Sequence, residues 1–467
     1  MIIVGGGVSG LATAFWLRRQ RPDIVVTVLE AGESAGGHVA STTVDGYTID
    51  TGPSSLRPGA PDTTALLEAL DLLREVVPAS PVARRRFLVR SGSLEPLPSS
   101  PTAVLGSSLL SPAGKLRLLA EPLIAAGSQA DESVSGFLQR RFGPEVAKRF
   151  AGPLVGGLVA GDPERLSMAA LFPQLVTLER RHGSVLRGFV TQQRAAKRSA
   201  STAAAVETKG AAPKQSTFTL SGGMGRLTEA LAGALGADLR TGIEVTKLRK
   251  VGHGFEVTLA RGGETLAARN VVLATPSTVA AGLLAEFAPA AAAELRGIAY
   301  AGVGVAALAF ARSSLPPLPE GFGFLAARGE GVRSLGVQFS SSAFPSQAPA
   351  GAVLLRAIVG GSADPEILEL PEAAVIAAVR DDLERTLGIV TAPLLAHYRR
   401  LPGAIPQYEV GHGERVARIE GRLGLTSGLE LVGNAYRGVG VNDCLRAARA
   451  VVGRLAQRLD REEAVGA

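Results

Sequence analysis

The sequence predicts an α/β protein whose parallel sheet is assembled from distant parts of the chain. Three observations lead there. A strand, glycine turn, helix, strand and acid follow one another over residues 2–30. Short strands with glycine turns fill residues 239–276. A second glycine-rich turn opens an amphipathic helix over residues 434–459. Together they read as a discontinuous, Rossmann-like nucleotide-binding domain, with an α+β domain and a helical insertion completing the chain.

The first element is "IIV", a short buried strand that runs into Gly5-Gly6-Gly7-Val8-Ser9-Gly10. Gly5 permits the tight turn, Gly7 lets a pyrophosphate approach the backbone, and Gly10 lets the helix pack closely on the strand. The helix, with Leu11, Ala14, Phe15 and Leu17 at helical spacing, offers free N–H groups to phosphate at its start. Arg18, Arg19 and Arg21 suit its C-terminal end. "IVVTVLE" reads as the second strand, and Glu30 at its end can accept from ribose hydroxyls while repelling a 2′-phosphate. A lone glycine motif is weak evidence, but this one has strand, helix, strand and acid in order.

The next residues extend the ligand. "AGESAGGHVAS" places Gly36-Gly37 beyond the acid, and "YTIDTGPSS" adds Gly52, Pro53 and Ser54 after a short strand. An NAD dehydrogenase would pass directly into another helix–strand unit. A glycine loop that doubles back indicates a longer dinucleotide, FAD, lying extended across the domain. "STFTLSGGMGRLTEALAGAL" reads as loop, turn and helix, and Val245 lies in the strand "IEVTKL". "GHG" and "RGGE" read as hairpin turns, and "NVVLATP" as a buried strand. In "GLELVGNAYRGVGVNDCLRAARAVVGRLAQRLD", a strand leads to a loop holding Val439, Gly440, Val441 and Asn442. Asn442 and Asp443 are read as helix caps. Leu445, Ala448, Val452, Leu455 and Leu459 form one apolar face. A helix starting here can aim its positive end at an isoalloxazine ring.

The middle differs. Residues 92–216 become helical after a Pro/Ser/Leu stretch, and "ESVSGFLQRRFGPEVAKRF" reads as helix–turn–helix capped near Ser133. Residues 194–216 are low in complexity and read as a mobile loop. "LLSPAGKLRLLAEPLIAAG" could lie on a bilayer with Lys115 and Arg117 at the headgroups. Residues 300–400 alternate strands and turns before a helix near 371–387. The expected domains are 1–80, 217–298 and 400–467 for FAD, 81–91 and 299–399 for substrate, and 92–216 for the insertion.

Composition bounds the function. The chain has 467 residues, enough for two or three domains, and 49 basic against 42 acidic residues leave a formal charge of +7. No Lys/Arg block is interleaved with aromatics, so nucleic acid is not an expected partner. An anionic substrate or membrane surface fits the charge. One cysteine, Cys444, excludes an intrachain disulfide and a cysteine metal site. His38, His182, His253, His397 and His412 are scattered, so no metal site is expected. The first strand begins at Ile2, leaving no room for a signal peptide, and "AYAGVGVAALAFA" is too short to span a bilayer. The expectation is an intracellular, cytoplasmic protein, soluble or peripheral on the membrane.

Several stretches resemble the FAD-dependent protoporphyrinogen oxidases of haem synthesis, within the flavin amine oxidase superfamily. They are "AGPLVGGLVAGDPERLSMAALFPQL", "LERRHGSVLRG", "GFGFL", "FPSQAPAGAVLL", "AIPQYEVGH" and "GNAYRGVGVNDC". The resemblance covers nearly the whole chain; its last motif and "IPQY…GH" are the more specific. It implies oxidation of protoporphyrinogen IX to protoporphyrin IX, six electrons removed in three flavin cycles. Hydride leaves a methylene bridge toward flavin N5, and dioxygen restores the flavin with release of hydrogen peroxide. No acid–base residue is required; placement of the bridge carbon does most of the work. Among Arg84, Arg85 and Arg86, the resemblance assigns Arg86 to a substrate propionate. Gly323, Leu325, Gln338 and Ile358 fall at pocket-lining positions, with Gln338 departing from the usual apolar or aromatic residue. His38 stands where many amine oxidases carry arginine. The same family includes bacterial coproporphyrinogen III oxidases, and this alternative stays open, with the loop and the "RRF" arginine favouring protoporphyrinogen. A flavin amine oxidase is a further alternative; an aromatic cage would favour it, and Tyr408 and Tyr436 are the only nearby aromatics. A homodimer is compatible with all of these.

Overall fold

In the computed structural model, which describes residues 1–98, 101–127, 129–202, 216–260, 262–424 and 428–466, two sheets meet beneath a helical layer. The first sheet is parallel, with strands ordered Leu429–Leu431, Val271–Leu273, Ile2–Val4, Thr27–Leu29 and Leu239–Arg240. It therefore draws on the beginning, middle and end of the chain. Ile2–Val4, Val271–Leu273 and Val28–Leu29 are buried on both faces, as a parallel sheet covered on both sides requires. Ile3, Val28 and Val272 pack with helices Val8–Gln20, Gly225–Leu235 and Val441–Gly466. Ile2, Val4, Leu29 and Leu273 pack the other way, against the antiparallel strands Val245–Val251 and Gly254–Leu259 and helices Ser277–Leu284, Pro289–Arg296 and His412–Leu423.

The second sheet has seven strands, ordered Leu395–Pro406, Tyr300–Ala311, Ala352–Gly360, Gly336–Phe339, Gly323–Leu325, Phe87–Arg90 and Ser93–Pro96. One face, with Leu308, Val337, Phe339, Leu355 and Ala357, packs on helix Glu372–Leu387 through Val375, Val379 and Leu383. The opposite face looks toward the first sheet. Its Val303–Val305 end packs under Ala160 of the insertion, and its Ala307–Ala309 end packs on Tyr47 and Ile49 of the hairpin Ser41–Asp50. The insertion stacks Phe137, Phe142, Val155 and Val159 in its own core.

Several expectations are corrected. Strand pairing at "IVVTVLE" is confined to Thr27–Leu29, because its neighbour Ile2–Val4 is only three residues long, and Val25 is exposed. Strand Leu395–Pro406 crosses the boundary at 400, because it pairs along nearly its whole length with Tyr300–Ala311. Ser93–Pro96 pairs with Phe87–Arg90 and so joins the second sheet rather than the insertion. Helix Val185–Thr202 takes in residues 194–202 of the expected mobile loop, where Ala, Lys and Arg favour helix; residues 203–215 lie outside the described residues. Arg117 does not reach outward: it donates to the carbonyls of Arg140 and Arg141 at the end of helix Val134–Phe142. Ser133 does cap that helix, accepting from the Gly136 N–H.

Candidate functional site

The glycine turn after the first strand has steric reasons for most of its residues. Gly5 has φ +105°, and a Cβ there would lie 2.7 Å from the Ala274 oxygen. A Cβ at Gly10 would lie 2.0 Å from the Gly5 oxygen, and one at Gly6 would meet the Glu30 side chain. Gly7 differs: a Cβ there meets nothing within 4 Å. Gly7 precedes helix Val8–Gln20 and brings no side-chain cap, and the first intrahelical bond runs from the Leu11 N–H to the Gly7 oxygen. The N–H groups of the first turn therefore face open space in front of Gly7. Val8 and Ser9 are buried behind them.

Glu30 takes the Gly6 N–H on Oε2 at 2.6 Å and the Gly32 N–H on Oε1 at 2.8 Å. The carboxylate thus shapes the turn and keeps lone pairs for a hydroxyl. The Ile243 N–H donates to the Glu30 carbonyl, which leads the chain into Val245 alongside. Gly36 and Gly37, at φ +117° and +61°, fold back onto the turn: the Gly36 N–H donates to the Gly6 oxygen at 2.8 Å, and Gly37 closes on Gly7.

The far end of the chain completes the cradle. Helix Val441–Gly466 starts beside helix Val8–Gln20, where the Cys444 thiol bonds Ser9 and burial pushes it up to about 11. Leu445, Ala448, Val452 and Leu455 are its buried face. Asn442 and Asp443 are not its caps. Gly440 occupies the cap position, accepting from the Asp443 and Cys444 N–H groups, while Asn442 Nδ2 donates to the Arg57 carbonyl at 2.8 Å. That tertiary bond links the loop to residues 52–57, and Asn442 Oδ1 is left buried without a partner. Val441 lies in the core of the first sheet, and Val439 packs against the insertion.

The second sheet presents the substrate candidates in register. Gly323 opposes Gln338, which opposes Arg356; Leu325 opposes Gly336, which opposes Ile358. All lie on the face toward the first sheet, with Val305 and Ala307 continuing the two rows. A Cβ on Gly323 would strike the Val337 oxygen at 2.1 Å. Leu325 sits under helix Gly152–Val159, where Gly157 leaves it room. Arg86 is exposed at the sheet end before Phe87, with its guanidinium 5.1 Å above the Phe322 ring. Gln338 meets the cradle, its Oε1 accepting from Ser54 at 2.8 Å, and its Nε2 is buried without a partner. Gly52 passes so close to His38 that a Cβ would lie 1.7 Å from its oxygen, and Pro53 follows. The buried amide atoms of Gln338 and Asn442, the uncapped helix start and the space before Gly7 fit a flavin dinucleotide.

Sequence reasoning missed Arg356, Arg399, Gln347 and Asp50. One signal was available: Arg356 is a lone charge in the apolar strand "AVLLRAIVG". Burial pushes the Asp50 carboxyl up, against bonds from Ser41 and the Met224 N–H. Burial and then the Arg399 charge hold His38 below its ordinary value. The tyrosines do not form a cage. Tyr408 stacks on His412 at 3.8 Å, its hydroxyl donating to the Asn434 carbonyl and accepting from the Gly438 N–H. Tyr436 is buried, and burial pulls His412 down to about 4. Among the described residues, no group of three or more His, Cys, Asp or Glu could hold a metal.

Comparison with known proteins gives the same picture over the full length. Residues 8–456 match the family described as flavin containing amine oxidoreductase. The chain is 34% identical to the chloroplastic protoporphyrinogen oxidase of Nicotiana tabacum, covering 98% of this chain and 86% of that one. It is 30% identical to the coproporphyrinogen III oxidase of Bacillus subtilis, covering 97% of each. A crystal structure from Exiguobacterium superposes with a TM-score of 0.82 at 26% identity, covering 98% of both chains.

Proposed function

The chain belongs to the flavin containing amine oxidoreductase family, and on that premise we propose that it oxidises a porphyrinogen, protoporphyrinogen IX first, to the porphyrin. Six electrons and six protons leave in three rounds, and three dioxygen molecules become hydrogen peroxide. The observation that carries this reading is a two-ended nucleotide cradle joined at residues 50–54 to the sheet that carries the half-buried apolar side chains Leu325 and Ile358. Relatives of both porphyrinogen specificities, each aligned over nearly the whole chain, support it.

Bound FAD would supply a two-electron acceptor. Gly5–Gly10 and the start of helix Val8–Gln20 would hold its pyrophosphate, Glu30 its ribose, and Val245 would wall its adenosine half. Gly36, Gly37, Gly52–Ser54 and Val439–Asn442 would hold the flavin half, with the positive end of helix Val441–Gly466 beside it. Leu325 and Ile358, both half-buried, would wall a flat macrocycle and exclude water. The chain's task is placement, so no general acid or base is assigned.

The test is direct. Purified protein should show a flavin spectrum and generate porphyrin fluorescence from a porphyrinogen; no gain with either porphyrinogen rejects the reading. Coproporphyrinogen III is the second reading, since a relative of that specificity is 30% identical over 97% of each chain, and the ratio of the two rates decides. Arg86→Ala should raise KM about tenfold with kcat little changed, the loss of one charge-assisted contact to a propionate. Unchanged KM removes Arg86 from the site.

A peripheral membrane contact on the cytoplasmic side belongs to the same reading. Among the described residues no helix is long and apolar enough to cross a membrane. Leu116, Leu119 and Leu123 are nonetheless exposed on one short stretch, Leu123 at 82%. Leu119→Asp with Leu123→Asp should abolish co-sedimentation with anionic liposomes while leaving porphyrinogen turnover in solution intact. Undiminished co-sedimentation rejects this contact.

A further inference from the structure

After the hairpin Ser41–Asp50, residues 50–54 run against the second sheet before Leu56 and helix Pro61–Ala69 return to the core of the first sheet. Four side chains of the second sheet and its adjoining turn grip this stretch. Arg356 Nε donates to the Asp50 carbonyl at 2.8 Å, and its terminal nitrogen to the Gly52 carbonyl. Arg399 donates to Thr51 Oγ1 at 2.6 Å. Gln338 accepts from Ser54, and Gln347 donates to Asp50 Oδ2 at 2.8 Å. From the other side, Asp50 Oδ1 accepts from Ser41 and from the Met224 N–H, both at 2.7 Å. Residues 50, 51, 52 and 54 are thus each held by the sheet that carries the substrate candidates.

Arg356 stands out within this seam. Its strand is apolar on both sides, and the residue is 6% exposed. A guanidinium in such a place is unfavourable for packing and is kept only by good hydrogen bonds. Its bonds go to backbone carbonyls on either side of Thr51, which fixes the path of the loop, and the nearby Asp50 carboxylate favours its charge.

We propose that Arg356 is a positioning residue that sets the Gly52–Ser54 backbone against the flavin and thereby couples the substrate sheet to the cofactor pocket. The inference rests on the flavin reading above and names a residue that reading does not use. Behind the Gly52–Ser54 backbone the guanidinium would also add positive charge near the cofactor, offset in part by the Asp50 carboxylate, and so favour the reduced and more negative cofactor.

The experiment compares the full-length protein with Arg356→Met and Arg356→Lys. FAD affinity is read by titrating apoprotein, midpoint potential by dye equilibration, and folding by thermal unfolding of the apoprotein. Arg356→Met should bind FAD at least about tenfold more weakly, with a more negative midpoint potential. Arg356→Lys should recover much of the potential but not the affinity, because an ammonium cannot span two carbonyls as the planar fork does. Wild-type affinity and potential in Arg356→Met overturn the proposal. Should Arg356→Met fail to fold, Arg356→Lys decides alone: FAD affinity lowered severalfold supports the proposal, and wild-type affinity overturns it. Failure of the wild-type apoprotein to take up FAD would instead overturn the flavin reading itself. FAD uptake without porphyrinogen turnover would overturn the substrate reading and leave these measurements in force.

Discussion

Gly10→Ala should cost this protein both its apoprotein stability and its FAD, whereas Gly7→Ala should keep the first and lose much of the second. The two glycines stand three residues apart in one motif, yet their surroundings are opposite. A Cβ on Gly10 would lie 2.0 Å from the Gly5 carbonyl oxygen. Backbone cannot step aside as a flexible side chain can, so helix Val8–Gln20 must lift from the turn. Overpacking of this kind costs about 1–3 kcal/mol before any ligand is considered, and it moves the N–H groups that would face phosphate. Gly7 has φ −72° and ψ 174°, which alanine adopts freely. Its Cβ would meet no atom of the protein within 4 Å. Alanine there should leave apoprotein unfolding unchanged while placing a methyl where a phosphate must approach. FAD affinity should fall about tenfold or more, roughly 1.4 kcal/mol. Thermal unfolding of both apoproteins, with FAD titration, separates the cases. Wild-type FAD affinity in Gly7→Ala would mean that the space before Gly7 is not where the cofactor lies.

The same contrast explains what was legible in the sequence. The turn at Gly5–Gly10 could be read because its constraints are local: a positive φ, a close approach and a helix start lie within six residues. The apolar face of Leu445, Ala448, Val452 and Leu455 was readable because helical period alone defines it. Asn442 shows where local rules stop. Its position before a helix suggests a cap, but its amide bonds the carbonyl of Arg57, distant in sequence and adjacent in space. Arg117 is a second case, drawn inward by carbonyls that helix Val134–Phe142 leaves unsatisfied. The seam at residues 50–54 depends wholly on such long-range partners. Arg356 could be noticed as a charge out of place in its strand, but Gly52 could not be named as its partner. The extent of strand Leu395–Pro406 is likewise set by its neighbour, since its own sequence carries two prolines, a glycine, a histidine and two arginines.

The other large effect is expected far from the cradle, at Arg141 and Glu121 in the insertion. Both side chains are 0% exposed and form an ion pair. Arg141 also donates to the carbonyls of Ile124 at 2.8 Å and Gly183 at 3.1 Å. Glu121 accepts from the Ser184 hydroxyl and from the Val185 N–H at 2.9 Å, at the start of helix Val185–Thr202. The pair thus ties together three segments that also meet in the apolar core of the insertion. Arg141→Ala leaves Glu121 buried without its cation, and Glu121→Ala leaves Arg141 with only Glu179, 3.5 Å away. Each should destabilise the insertion by about 3–5 kcal/mol. Glu121→Leu with Arg141→Met strands neither charge, so it should lose less than the two single losses combined. Thermal unfolding and limited proteolysis of the four proteins measure this; strict additivity would show that the two side chains act independently. The consequence reaches the substrate face. Helix Gly152–Val159 covers Leu325 at Gly157, and Ala160 covers Val303 and Val305. A loosened insertion should therefore raise KM for the porphyrinogen in Arg141→Ala protein that still folds, while FAD affinity, set by the glycine loops and the Arg356 contacts outside the insertion, stays near that of the parent.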